Sequence, residues 1–179
     1  MAWTAPMTAV SGATFTASQF NQYVRDNLNE TAPAKATAPS QLFVSTGPNA
    51  IATRTPTQQY VQTAETRSST LYGDLATPGP MVTVTTGTIA IVHFACGIAN
   101  SVNDSACFVS VDVTGVSTVA ASDGWAIGSD GITAGNFVRY GMTHVFTGLT
   151  PGTNVFTMRY RAASNTGTFR QRELAVIPL

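Results

Sequence analysis

Charge is scarce in this sequence: Lys and Arg total 9 against 9 Asp and Glu in 179 residues, so only 10% of positions are charged and the formal net charge is zero. Soluble domains ordinarily carry about 25% charged residues. A polyanion-binding protein needs a basic footprint, and this chain has neither that nor a polybasic patch for anionic lipid, so nucleic acid is excluded as an expected partner. Long apolar runs are also missing. The longest, Ile89 to Cys96, is far too short to span a bilayer and is interrupted by His93, so no membrane insertion is expected. Met1 to Val24 contains no Lys or Arg and no continuous apolar stretch, so no targeting leader is expected there either. Two cysteines, Cys96 and Cys107, are too few for a disulfide scaffold. They fall in neighbouring predicted strands, where a bridge is geometrically conceivable, but a core of this size needs no staple and the expectation is two buried free thiols.

Groups suited to acid–base chemistry are equally few. The two histidines are His93, inside an apolar strand and read as a hydrogen-bonded core residue, and His144, flanked by Thr143 and Val145. No Gly-x-Ser-x-Gly elbow and no phosphate loop occur, and the cysteines and histidines lack zinc spacing. Asp123 and Asp130 sit in Ser-Asp-Gly triplets that read as solvated turns rather than a calcium loop. The expectation is a protein that is not an enzyme and has no cofactor and no metal.

What is abundant is Thr, Ser, Ala, Asn and Gly, with 44% hydrophobic residues, enough to bury one good core. Residues 1–40 read as an arm. Thr16 with Gln19 three residues on makes a capping box, and Phe15 before the cap can staple onto Phe20, which starts a helix at about 17–29. Phe20, Tyr23, Val24 and Leu28 then share one face, with Asn21, Gln22, Arg25 and Asp26 turned away. So short a helix is marginal alone, and its aromatic stripe needs a partner surface, as does Trp3 upstream. Thr31 to Ser40, rich in Pro and Ala, reads as an extended linker. Residues 41–61 read as a neck or hairpin, with Leu42-Phe43-Val44 and Ala50-Ile51-Ala52 flanking the turn signal Gly47-Pro48-Asn49.

Residues 62–179 read as short strands between turns. Val82 and Val84 alternate with threonines; Ile89 to Ala95 is apolar on both faces, the mark of a central strand; Cys107, Val109, Val111 and Val113 alternate with Phe108, Ser110 and Asp112. Tyr140, Met142, His144 and Phe146 fall on one side of the next strand, and Asn154, Phe156, Met158 and Tyr160 on one side of the strand after that. A final strand covers Phe169 to Ile177. With no helical pattern among them, the fold class is mainly β: a C-terminal β-sandwich, jelly-roll or tumour-necrosis-factor-like, preceded by an extended arm with one short helix.

Two further features are candidates for contact. Arg159 and Arg161 share one face of a predicted strand, Arg170 and Arg172 one face of the next; if those strands pair, the four guanidinium groups converge. They read either as a salt-bridged rim, with Glu173 or Asp74 as partners, or as a subunit contact. Trp125, in Gly124-Trp125-Ala126-Ile127-Gly128, reads either as packed beneath its loop or as an exposed aromatic for a receptor glycan.

The N-terminus resembles a family of tailed-phage virion proteins whose opening has a Trp, a Thr-Ala pair, and then Asn-x-x-(Val or Ile)-Arg-Asp-Asn-Leu. Trp3-Thr4-Ala5 and Asn21, Val24, Arg25, Asp26, Asn27 and Leu28 match that pattern. At the other end, Gly148-Leu149-Thr150-Pro151-Gly152, Phe156 to Arg161 and Arg172 to Leu179 resemble the last strands of phage fibre and decoration domains. The resemblance implies a virion component, assembled in the host cytoplasm, whose arm (Trp3, Phe15, Phe20, Tyr23, Val24, Leu28) attaches to major capsid or tail proteins while a homotrimeric β-domain projects. A capsid decoration or head-fibre protein is the leading expectation and a minor tail or tail-fibre protein that binds a host receptor is the alternative; an envelope-degrading enzyme lacks its acid–base set.

Overall fold

The computed structural model describes residues 3–179, which divide into two compact units, Met1–Thr55 and Pro56–Leu179. In the first unit the helix begins at the foreseen cap. α1 (Ala17–Phe20) continues through a π-helical turn, Asn21–Arg25, into α2 (Asp26–Leu28). The π turn differs from the single α-helix expected: the Asp26 amide reaches back five residues to the Asn21 carbonyl, which re-aims the residues that follow. The Pro/Ala segment is not wholly extended either. Ala32–Lys35 forms a helical turn, α3, with proline in its first turn, where the missing N–H would have had no partner anyway. β1 (Leu42–Gly47) and β2 (Ala50–Arg54) then form an antiparallel hairpin, with Asn49 in the left-handed region at φ 54°.

The second unit is an antiparallel β-sandwich, as the sequence pattern indicated. One sheet orders β3 (Thr57–Val61), β11 (Gly167–Pro178), β6 (Ile89–Asn100) and β9 (Val138–Thr147), with β4 (Glu65–Arg67) also paired to β11. The other orders β5 (Met81–Thr86), β10 (Gly152–Ala162), β7 (Cys107–Gly115) and β8 (Ile127–Ser129). Thr57–Val61 therefore belongs to the sandwich rather than to a neck, because its backbone completes a ladder with β11, Leu174 opposite Gln59. Between the sheets, Val92, Phe94 and Ile98 of β6 meet Val109 and Val111 of β7, Phe156 and Met158 of β10, and Phe169 and Leu174 of β11, all fully buried. Gly115 has φ +104°, and a Cβ there would stand 2.5 Å from the Thr153 carbonyl oxygen, so the close passage of β7 beside β10 requires glycine.

β6 is central in its sheet, but its first half is not apolar on both sides. Ile89 and His93 point outward into solvent and only from Phe94 onward is every residue buried. His93 is thus not a core histidine. The strand period of two places it opposite Val92 and Phe94, where its Nδ1 lies 3.0 Å from Thr143 Oγ1. Cys96 and Cys107 are free and buried, on strands of opposite sheets rather than on paired neighbours. Burial pushes the Cys96 thiol up to about 12, which keeps it protonated.

Candidate interaction surfaces

The arm is built from local signals that meet through one amide. Thr16 Oγ1 accepts from the Gln19 amide at 3.2 Å while Gln19 Oε1 accepts from the Thr16 amide at 2.9 Å, and the Phe15 and Phe20 rings pack edge to face at 6.2 Å. Asn27, buried at the end of this helix, accepts from the Thr4 amide at 2.8 Å and donates to the Thr4 carbonyl at 2.9 Å and the Tyr23 carbonyl at 3.1 Å. Its side chain thus pairs with extended backbone as a neighbouring strand would, and fastens the Trp3-Thr4-Ala5 segment along the helix. The Trp3 amide donates to the Asn49 carbonyl at the hairpin turn, 2.8 Å. Lys35 lies 2.9 Å from Glu30 and its hydrogen bond holds that carboxyl below the ordinary carboxylate range. The role of Asn27 was the residue function that sequence reasoning missed; its signal was a single amide at the C-terminal end of the helix among residues otherwise read only as a motif.

With these polar ties made, the large apolar side chains are left facing outward. Phe15, Phe20 and Leu28 are 52%, 49% and 59% exposed and Trp3 is exposed, whereas Tyr23 and Val24 are half-buried. Met7, Val10, Ala13, Phe15 and Gln19 line a groove of about 370 Å³ beside them. Among the described residues of this unit, Val44 is the one apolar side chain that is buried.

The four arginines do not converge. β10 and β11 lie in opposite sheets, so Arg159 and Arg161, outward on one sheet, are separated by the sandwich from Arg170, outward on the other. Arg159 Nε donates to Asp112 at 2.6 Å and its other end pairs with Asp74. Arg161 forks onto Asp123 at 3.0 and 2.5 Å and lies 3.9 Å over the Phe108 ring; its guanidinium holds the Asp123 carboxyl below the ordinary range. Nor do Arg170 and Arg172 share a face. β11 bulges between Arg170 and Glu173, with Gln171 at φ 49°, and the extra residue reverses which side chains point inward. Arg170 stays outside, 3.6 Å from the Phe137 ring centroid. Arg172 turns into the core and is fully buried, where it donates to the Thr77 and Gly79 carbonyls at 3.1 and 3.2 Å and pairs with Glu65 at 3.2 Å. It ties the segment between β3 and β5 to the sandwich, which is a structural task and one that a period-two reading of β11 could not anticipate.

Trp125 is packed rather than displayed. Its Nε1 donates to the Val111 carbonyl at 3.1 Å, its ring stacks on His144 at 5.2 Å and meets Phe146 edge-on at 5.8 Å. Burial against these rings lowers the His144 pKa, so the imidazole is neutral near pH 7. Among the described residues no group of three His, Cys, Asp or Glu is placed to hold a metal ion, and no helix is long and apolar enough to cross a membrane.

No protein-family model matches the chain, and no curated protein matches it by sequence. Solved structures with a similar strand arrangement include the infectious bursal disease virus VP2 subviral particle, at 15% identity and TM-score 0.48, covering 74% of this chain and 36% of that one. The chain spans about a third of the capsid protein it matches. Eiger TNF from S. frugiperda is similar at 7% identity and TM-score 0.47 over 70% of this chain and 92% of that one. The C-terminal carbohydrate-binding module CBM6 of LamC from Zobellia galactanivorans gives 11% identity and TM-score 0.33 over 66% and 98%.

Proposed function

We propose that this chain is a non-enzymatic structural protein of a tailed-phage particle, a capsid decoration or head-fibre protein, attached through its N-terminal arm and displaying its β-sandwich as a homo-oligomer, a trimer by the resemblance. The observation that carries the reading is the outward apolar set Trp3, Phe15, Phe20 and Leu28 on a unit held together mainly by hydrogen bonds. Exposed aromatic side chains on an ordered backbone suit a surface that becomes buried on a partner, since they add apolar area at little entropic cost. The match of Trp3 and of Asn21 to Leu28 to the phage virion pattern supports the same assignment.

The test is co-sedimentation of full-length protein with empty capsids and, separately, with isolated tails, each repeated with the double variant Phe20→Asp, Leu28→Asp. Capsid binding that the double variant loses is the expected result. Binding to tails alone replaces the decoration reading with a tail-fibre one, and binding to neither overturns both. A double variant that binds as well as the parent removes the arm as the anchor.

A further inference from the structure

We infer that Asp130 is a self-modification site: its side chain closes onto the Gly131 amide to form a cyclic imide, which water reopens as isoaspartate. Two Ser-Asp-Gly triplets occur in the sandwich, Ser122-Asp123-Gly124 and Ser129-Asp130-Gly131, and by sequence they are equivalent turns. Both aspartates and both glycines are exposed. What differs is where the two reacting groups of each triplet are directed.

At the second triplet they face each other. The Gly131 amide donates to Asp130 Oδ1 at 2.9 Å, so the nitrogen and the carboxyl group that must join are already side by side. Among the described residues no other donor holds that carboxylate. Gly131 has φ +67°, and nothing stands within 4 Å of the place a Cβ would take, so the backbone has room to swing into the ring. At the first triplet both groups are engaged elsewhere. Arg161 forks onto the Asp123 carboxylate at 3.0 and 2.5 Å and the Tyr72 hydroxyl donates to it at 2.7 Å, while the Gly124 amide donates to Ser122 Oγ at 3.1 Å. The backbone there is held in a 3-10 turn, Asp123–Trp125. Ring closure at Asp123 has to break these bonds first. The Arg161 guanidinium also keeps that carboxyl ionised, the poorer acyl group.

The bonds balance with water alone. The Gly131 nitrogen bonds to the Asp130 side-chain carboxyl carbon, losing its proton as the carboxyl loses hydroxide, and one water departs. Water then adds to either carbonyl of the imide. Opening at the side-chain carbonyl restores aspartate; opening at the backbone carbonyl leaves the nitrogen on the side-chain carbon, so that the chain runs through Cβ. The extra backbone carbon enters just before Ile132, whose carbonyl accepts from the Asp104 amide at 3.2 Å, and it loosens that tie between neighbouring loops.

The chemistry needs only this chain and water, so its test is separate from the attachment of the arm. Full-length protein is kept for weeks in neutral heavy-oxygen water and cut with chymotrypsin, and the peptides on either side of Trp125 are compared by mass spectrometry, with electron-transfer fragmentation to read isoaspartate. Heavy oxygen and isoaspartate should accumulate at Asp130 at least about tenfold faster than at Asp123. In denaturant the two rates should converge. Asp130→Glu, whose longer side chain would need a larger ring, should abolish labelling at its position, with circular dichroism checking that the variant stays folded. Equal labelling of the two sites in the native protein, more at Asp123, or none at either overturns the inference. So does labelling that persists in Asp130→Glu, or an excess at Asp130 that is undiminished in denaturant, since it would then owe nothing to the folded geometry.

Discussion

The two units solve the problem of a stable backbone by different means. In the sandwich, apolar side chains from two sheets close on one another, and even its largest inward polar group, Arg172, is satisfied by carbonyl oxygens and Glu65. In the arm unit the order runs the other way: Thr16, Gln19, Asn27 and the Glu30–Lys35 pair hold the chain, and the apolar groups face out. That arrangement, with polar groups satisfied internally and rings left in water, is what the proposed anchoring role rests on. Composition alone would not separate the two, since both are rich in Thr and Ala; the direction of the apolar side chains does.

Substitutions should separate the units cleanly. Phe156→Ala, which empties a fully buried site between the sheets, should cost about 3–5 kcal/mol by denaturant unfolding of the sandwich. Arg172→Met should cost about 3 kcal/mol in the same measurement, because Glu65 and the Thr77 and Gly79 carbonyls are left without their donor. If Arg172→Met were neutral, the sandwich would owe nothing to its buried cation and the contrast with the arm would sharpen. Asn27→Ala should raise hydrogen exchange across residues 3–28 with a local loss of about 1–3 kcal/mol, while the sandwich melts as before. A matching drop in the melting of the sandwich would break the comparison.

The pH response gives smaller effects. His144 has a folded pKa below its ordinary 6.5, so it is the neutral form that the Trp125 stack favours. Its contribution is fully present above 6.5 and is lost as pH falls through the depressed folded value. Stability should therefore decline gently below pH 6.5, and His144→Phe should flatten that part of the profile in thermal melts. At lower pH, burial raises the Glu65 pKa but the hydrogen bonds from Thr77 and the charge of Arg172 outweigh it, leaving the pKa below the ordinary 4.5. The Glu65 contribution is thus present above 4.5 and disappears as pH drops through its folded value, a second decline that Glu65→Gln should weaken.

Much of the local structure could be read from residues that act over short range. The capping box at Thr16 and Gln19, the Phe15–Phe20 staple and the inward sets Tyr140 to Phe146 and Asn154 to Tyr160 appear where spacing placed them, because a cap or a strand period involves only near neighbours. The misreadings share a cause. A strict period of two puts Arg172 on the same face as Arg170, but a single bulged residue, Gln171, reverses the alternation, and nothing in the order of amino acids marks where a strand bulges. The four arginines would converge only if consecutive strands paired, and β10 and β11 sit in opposite sheets.

Sequence was sufficient for the class of fold, the start of the helix, the alternation within each strand and the scarcity of groups for catalysis. Those follow from composition and from interactions a few residues apart. Tertiary structure settled which strands are partners, which residue of β11 faces the core, and that Trp125 is packed under rings rather than presented. Each of those depends on contacts between residues far apart in the chain, whose meeting is decided by the closing of the whole sandwich and not by any local stretch of it.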